Sequence, residues 1–155
     1  ANSGKWTFSP YEKKVKKFAK QNKERIIFTG YVDNSEVYKY ASVADVQCLP
    51  TLVAEAAPLV VLEAMAEGLP LVVTKSGGVI EYIDKSTALF IEKENIVENL
   101  KRAICYMKEH PEVRRQMSEN AKIQSKKYDE SIYYKDFVEI INRILDQNME
   151  NKNGY

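Results

Sequence analysis

The segment EAAPLVVLEAMAEGLPLVVTK, residues 55–75, decides the fold class of this chain. Its first part is a short apolar run with Pro58 at the start and Gly68 at the end, where helices accept proline and stop at glycine. A strand-like run rich in valine, Leu69 to Lys75, follows directly. Because a helix pattern passes straight into a strand pattern, the segment indicates a layered α/β fold.

Similar patterns continue on both sides of this segment. A Rossmann-like parallel sheet with helices on both faces is therefore predicted, followed by C-terminal helices. Residues 1–127 are assigned to a partial Rossmann-like domain, and residues 128–155 to a helix and frayed tail that pack on it. Predicted strands cover residues 25–30, 45–50, 69–75 and 88–92; after a lysine-rich first helix, predicted helices cover residues 35–42, 58–67, 78–83, 95–108, 111–127 and 131–147.

The composition narrows the class of protein. The chain has 155 residues, 45% of them hydrophobic, and a net charge of +1, which gives no sign of a nucleic-acid partner. Cys48 and Cys105 lack metal-ligand spacing, so reduced thiols in a cytoplasmic protein are predicted, and no metal site is expected. No apolar stretch approaches the roughly 18 residues of a membrane span.

The lysine-rich first helix has two interpretations. Residues 11–25 contain six lysines and one arginine against Glu12 and Glu24. A solvated helix face is the preferred interpretation, and peripheral contact with an anionic inner membrane face is the alternative.

A pair of glutamates brackets the start of the predicted helix at residues 58–67. In parallel sheets, ligands bind at the carboxyl ends of the strands, where the free N–H groups of a helix such as Leu59 and Val60 suit a diphosphate. Glu55 and Glu63 would repel phosphate but accept hydrogen bonds from hydroxyl groups. A phosphate bracketed by two polyols describes a nucleotide sugar. The alternative is that these glutamates merely complement the helix dipole.

Three stretches together carry a family resemblance. RIIFTGYV, YKYASVADVQCLPTLVAEAAPLVVLEAMAEGLPLVVTKSGGVIEYI and the helical tail resemble the C-terminal half of the group-1 family of retaining GT-B glycosyltransferases. The likeness runs from about residue 25 to about residue 127. It implies donor binding without a metal or a separate cofactor.

The resemblance also implies roles for individual residues. Glu55 would be the catalytic residue, which contacts and orients the donor sugar, and Glu63 would bind the ribose hydroxyls. For Gly77 and Gly78, a simple turn before a helix is the alternative to a place beside the donor pocket. The remaining implied donor-binding residues are Gly30, Tyr31 and Val32, which would border the base, and Pro58, Leu59 and Val60, whose backbone would approach the sugar and diphosphate.

One position departs from the family pattern. Members commonly carry an aromatic residue and then glycine before the leucine, where this chain has Ala57 and Pro58. Because proline has no N–H, one hydrogen bond to the phosphate is expected to be absent or moved by one residue.

The resemblance predicts a fragment of a larger enzyme. The chain would lack the N-terminal acceptor domain, and also the first two strands and the basic pair of the donor domain, so it is expected to be inactive alone. The parent would transfer a sugar with retention to a glycan or lipid-linked acceptor, in cell-surface polysaccharide synthesis. The alternatives are a non-catalytic nucleotide- or partner-binding subunit of a split glycosyltransferase, and an epimerase of the same architecture.

Overall fold

Residues 9–152 are described by a computed structural model, with side chains described from residue 9 to residue 148. The chain divides into two compact units, one ending at Val37 and the other beginning at Tyr38. The first unit contains helix α1 (Pro10–Gln21), which begins with a capping box. The Ser9 hydroxyl accepts from the Glu12 N–H at 3.2 Å, and the Glu12 carboxylate accepts from the Ser9 N–H at 2.7 Å. These two bonds satisfy donors that the helix itself leaves free.

The second unit contains the sheet and most of the helices. Helix α2 (Asn34–Ala41) crosses the boundary between the units. The elements that follow are β1 (Gln47–Leu49), α3 (Leu59–Ala66), β2 (Leu71–Thr74), α4 (Val79–Tyr82), β3 (Ala88–Ile91), α5 (Ile96–Glu109), α6 (Pro111–Ser125), a 3₁₀ turn (Lys126–Tyr128) and α7 (Glu130–Lys152).

The three strands form one parallel sheet in the order β1-β2-β3. Every residue of the central strand β2 is buried. Leu71 and Val73 pack into one cluster with Met65 of α3, while Val72 packs into a second cluster with Met107 of α5. Because side chains alternate across a strand, these clusters lie on opposite faces of the sheet. The predicted α/β class, a Rossmann-like parallel sheet covered on both faces, is confirmed.

One predicted strand is wrong. Residues 25–30 form no strand, and Ile27 and Phe28 are 84% and 52% exposed. The segment has the β-branched and aromatic composition of a strand. The preference of such residues for strands reflects how well they fit a pleated, half-buried surface. The described residues provide no neighbouring strand to form that surface with this segment.

The boundaries of two helices add detail to the prediction. Helix α3 begins at Leu59, and Pro58 is its N-cap rather than its first helical residue. Helix α7 follows the predicted segment 131–147, but its apolar stripe is exposed, with Tyr133 at 71% and Phe137 at 51%. The packing of residues 128–155 on the Rossmann-like domain therefore stays a prediction, as does the boundary at residue 127.

The Thr74 hydroxyl at the end of β2 provides a first test of the structure. Thr74 is 1% exposed, and its Oγ1 atom has no hydrogen-bond partner among the described residues. An unsatisfied buried polar group costs about 1–3 kcal/mol, so Thr74→Val is expected to raise the free energy of unfolding by about 1 kcal/mol. Urea denaturation followed by circular dichroism measures the change.

Thr51 provides the matched control for this substitution. Its hydroxyl donates to the Val53 carbonyl at 3.2 Å and accepts from the Val53 N–H at 3.3 Å. Thr51→Val removes a satisfied hydroxyl and is expected to lower the free energy of unfolding by about 0.5–1.5 kcal/mol. Equal losses for both variants would mean that the Thr74 hydroxyl is paired in solution.

Candidate functional site

Two loops meet at the carboxyl edge of the sheet. Residues 50–58 connect the end of β1 to α3, and residues 75–78 connect the end of β2 to α4. Because β1 and β2 are parallel neighbours, both loops leave the sheet at the same edge. This edge is where open α/β sheets bind ligands.

The start of α3 presents backbone donors at this edge. Pro58 is the N-cap, and no side chain caps the helix. The Val61 N–H donates to the Pro58 carbonyl at 3.0 Å. The N–H groups of Leu59 and Val60 precede the intrahelical hydrogen bonds, and the first turn contains no acidic residue. The helix therefore offers two free donors and the positive end of its dipole.

The loop before α3 is clamped to the turn before α4. The Gly78 N–H donates to the Glu55 carbonyl at 2.9 Å. Gly77 has a φ of +59°, and a Cβ there would lie 2.1 Å from the Glu55 carbonyl oxygen. A Cβ at Gly78 would lie 2.0 Å from the Ala56 carbonyl oxygen. The paired glycines thus let two backbones approach more closely than any side chain allows, and this contact sets the position of Glu55.

A second contact anchors the same loop. The Ser76 hydroxyl donates to the Val53 carbonyl at 3.3 Å, and Ser76 is 8% exposed. The Thr51 hydroxyl donates to the same carbonyl. The loop is therefore held at Val53 and at Glu55, two residues apart, by the segment that follows β2.

The two predicted glutamates flank the helix start and are both accessible. Glu55 is half-buried in the clamped loop, and Glu63 is exposed one turn into α3. At 1.5 Å per residue, Glu63 lies about 6 Å along the axis from Leu59. The arrangement combines donors for an anion with acceptors for hydroxyl groups on either side.

Tyr82, which the sequence did not single out, also belongs to this region. Burial raises the pKa of Tyr82, and the Glu55 carboxylate and then Tyr128 raise it further. The Tyr82 ring meets the ring of Tyr128 edge to face, with 6.0 Å between the centroids. Its position four residues after Gly78, one helical turn on, is the signal that could have identified it.

The structure brings together seven of the ten predicted residues in the second unit: Glu55, Pro58, Leu59, Val60, Glu63, Gly77 and Gly78. Gly30, Tyr31 and Val32 belong to the first unit. There Gly30 has a φ of +72° and Tyr31 is 94% exposed. Their contact with a base stays a prediction.

The described part of the chain contains neither a metal-binding cluster nor a membrane-spanning helix. Residues 9–148 contain no group of three or more histidine, cysteine, aspartate or glutamate side chains that could hold a metal ion. Within the same described residues, every helix is too short or too polar to cross a membrane.

Comparison with known proteins identifies the family. The family model for glycosyl transferases group 1 matches residues 8–124. Alpha-monoglucosyldiacylglycerol synthase of Acholeplasma laidlawii is 29% identical over 125 residues, which are 80% of this chain and 30% of that protein. Lipopolysaccharide 1,2-N-acetylglucosaminetransferase of Salmonella typhimurium is 29% identical over 117 residues, 72% of this chain and 29% of that protein.

A solved structure has a similar fold. Sucrose-phosphate synthase from Thermosynechococcus elongatus superimposes with a TM-score of 0.71 at 19% identity, covering 97% of this chain and 37% of that one.

An uncharacterized glycosyltransferase of Haemophilus influenzae is 33% identical over 95 residues, 61% of this chain and 27% of that protein. The chain thus spans less than a third of the length of these curated relatives.

Proposed function

The chain belongs to the glycosyl transferases group 1 family, as a GT-B C-terminal domain, and on that premise we propose that it binds the donor of a sugar-transfer reaction. The parent enzyme moves a sugar from a nucleoside diphosphate sugar to a glycan or lipid-linked acceptor, with retention at the anomeric carbon. The chain supplies part of the donor-binding surface. The acceptor binds to a further domain of the parent, and sugar transfer requires both.

One observation carries this proposal: an uncapped helix start lies between two accessible carboxylates at the carboxyl edge of the sheet. The free N–H groups of Leu59 and Val60 suit the diphosphate. Glu63 accepts hydrogen bonds from the ribose hydroxyls, and Glu55 from the hydroxyls of the transferred sugar. In this arrangement the transferred sugar, the diphosphate and the ribose each meet a group that complements them.

The geometry also suits departure of the diphosphate. As the bond to the anomeric carbon breaks, negative charge develops on the leaving phosphate oxygen. Donors that are already oriented toward that oxygen stabilise the transition state more than the ground state. Because Pro58 has no N–H, the donors to the leaving phosphate oxygen are the N–H groups of Leu59 and Val60.

The names of the relatives support a role for the parent enzyme in the synthesis of cell-surface glycans or glycolipids. The names of two of them refer to a monoglucosyldiacylglycerol and a lipopolysaccharide. By analogy, we place the parent enzyme in the cytoplasm, at the inner membrane face, in the assembly of a cell-surface polysaccharide or glycolipid.

Replacement of Glu63 tests the proposal. Glu63→Ala in the full-length protein is expected to weaken binding of its nucleoside diphosphate by about 1.5–3 kcal/mol, the value of a hydrogen bond to a charged group. This corresponds to about a 10- to 150-fold increase in Kd. Titration calorimetry with a panel of nucleoside diphosphate sugars would first identify the base and the sugar.

Glu67 is the matched control on the same helix. It is exposed and serves as the C-cap of α3, one turn beyond Glu63 and away from the helix start. Glu67→Ala is expected to leave the Kd within about twofold. Unchanged affinity in Glu63→Ala would remove the ribose role of Glu63.

A further inference from the structure

The hydroxyl of Tyr82 is buried without a partner. The oxygen is inaccessible to solvent, and the hydroxyl neither donates nor accepts a hydrogen bond among the described residues. A buried hydroxyl in this state costs about 1–3 kcal/mol relative to a paired one. The Tyr82 hydroxyl therefore destabilises the folded protein unless it forms a hydrogen bond in another state, such as the ligand-bound one.

The backbone places Tyr82 beside the Glu55 loop. Helix α4 is a single turn that starts after Gly78, and the Gly78 N–H is bonded to the Glu55 carbonyl at 2.9 Å. Tyr82 follows Gly78 by four residues, so the two lie on the same side of the turn. The Tyr128 hydroxyl donates to the Tyr82 carbonyl at 3.3 Å. The end of α4 is thus held by the 3₁₀ turn while its start is held by the Glu55 loop.

The carboxylate of Glu55 is the partner that this geometry offers. The Glu55 side chain is half-buried, and its carboxylate has no hydrogen bond within residues 9–148. The carboxylate nevertheless lies close enough to raise the pKa of Tyr82, after the larger effect of burial. A phenol donor and a carboxylate acceptor, neither with a hydrogen-bond partner among the described residues, therefore belong to two segments that the bond from the Gly78 N–H to the Glu55 carbonyl holds together.

We propose that Tyr82 is a positioning residue that donates its phenol O–H to one oxygen of the Glu55 carboxylate when the donor sugar is bound. The other oxygen is then fixed in the orientation in which it accepts a hydrogen bond from a hydroxyl of the transferred sugar. An ionised carboxylate has lone pairs for both bonds. Exclusion of water by the sugar strengthens a charge-assisted bond of this kind. This inference rests on the proposed function.

Substitution of the hydroxyl alone tests the inference. Tyr82→Phe keeps the ring and its edge-to-face contact with Tyr128. In the full-length protein the Kd for the nucleoside diphosphate is expected to stay within about twofold, because that part of the ligand does not touch Glu55. The Kd for the nucleoside diphosphate sugar is expected to rise about tenfold, as is typical for loss of one hydrogen bond to a charged group. Titration calorimetry with both ligands measures the two values.

Tyr128→Phe is the matched control, because it removes a hydroxyl from the same aromatic pair without removing a partner of Glu55. It is expected to leave the ratio of the two Kd values unchanged. A double-mutant cycle of Tyr82→Phe with Glu55→Gln should give a combined effect smaller than the sum of the single effects.

The outcomes separate this inference from the proposed function. If Tyr82→Phe leaves both Kd values unchanged, changes both equally, or adds fully to Glu55→Gln, the positioning role is wrong while donor binding stands. If the wild-type protein binds no nucleoside diphosphate sugar, the proposed function fails, and the inference fails with it.

Discussion

Gly77→Ala is expected to lower the free energy of unfolding of the second unit by about 2–5 kcal/mol. The left-handed backbone costs any L-residue about 1–2 kcal/mol. The new Cβ also lies 2.1 Å from the Glu55 carbonyl oxygen, and overpacking of this kind costs about 1–3 kcal/mol. Urea denaturation measures the loss, and hydrogen exchange at the β2 amides assigns it to the sheet.

Two other glycines separate the terms of this estimate. Gly78 has an ordinary φ of −76°, so Gly78→Ala tests the steric term alone, through its contact with the Ala56 carbonyl. Gly30 has a φ of +72° with nothing within 4 Å of the added Cβ, so Gly30→Ala tests the strain term alone, in the first unit. A Gly77→Ala effect no larger than that of Gly30→Ala would show that the loop containing Glu55 is not in contact with the turn.

Truncation of Met65 is the second large effect. Met65 is 0% exposed and is among the largest fully buried side chains of the core. It packs between α3 and the sheet, so Met65→Ala leaves a cavity and is expected to cost about 2–5 kcal/mol of unfolding free energy. Small domains are stable by only about 5–15 kcal/mol, so a shift of this size is measurable by urea denaturation.

Leu59 provides the control on the same helix. It lies in the first turn of α3 and is 68% exposed, so Leu59→Ala is expected to change the free energy of unfolding by no more than about 0.5 kcal/mol. Comparable losses from both substitutions would mean that the buried and exposed faces of α3 are assigned incorrectly. The distinction matters for the site, because the orientation of α3 decides where Glu63 points.

The elements of the second unit could be predicted because their signals are local. The run LVVT of β2, flanked by Pro70 and Lys75, has the composition of a strand buried on both faces. Helices α5 and α6 follow a 3.6-residue pattern, and α6 starts at Pro111 as predicted. In each case the side chains that define the pattern are those that the sheet and helices bury.

The prediction of a strand at residues 25–30 is wrong for a reason that is not local to the segment. Its continuous apolar run IIF, residues 26–28, resembles the run ALFI of β3. A strand, however, obtains its hydrogen bonds from a neighbour, whereas a helix obtains them within its own segment. Composition alone therefore predicts a helix more safely than a strand.

The features of the candidate site likewise fall into those that depend on local sequence and those that depend on tertiary contacts. The sequence by itself determined the spacing of Glu55 and Glu63, the start of α3 near Pro58 and the Rossmann-like class, because these depend on residues close together in the chain. The tertiary structure alone decided that Gly77 and Gly78 press against the backbone of Glu55 and Ala56, and that the Tyr82 hydroxyl, one helical turn after Gly78, is buried without a partner among the described residues. Those contacts join segments more than twenty residues apart, and they exist because parallel pairing of β1 with β2 brings the two following loops to one edge.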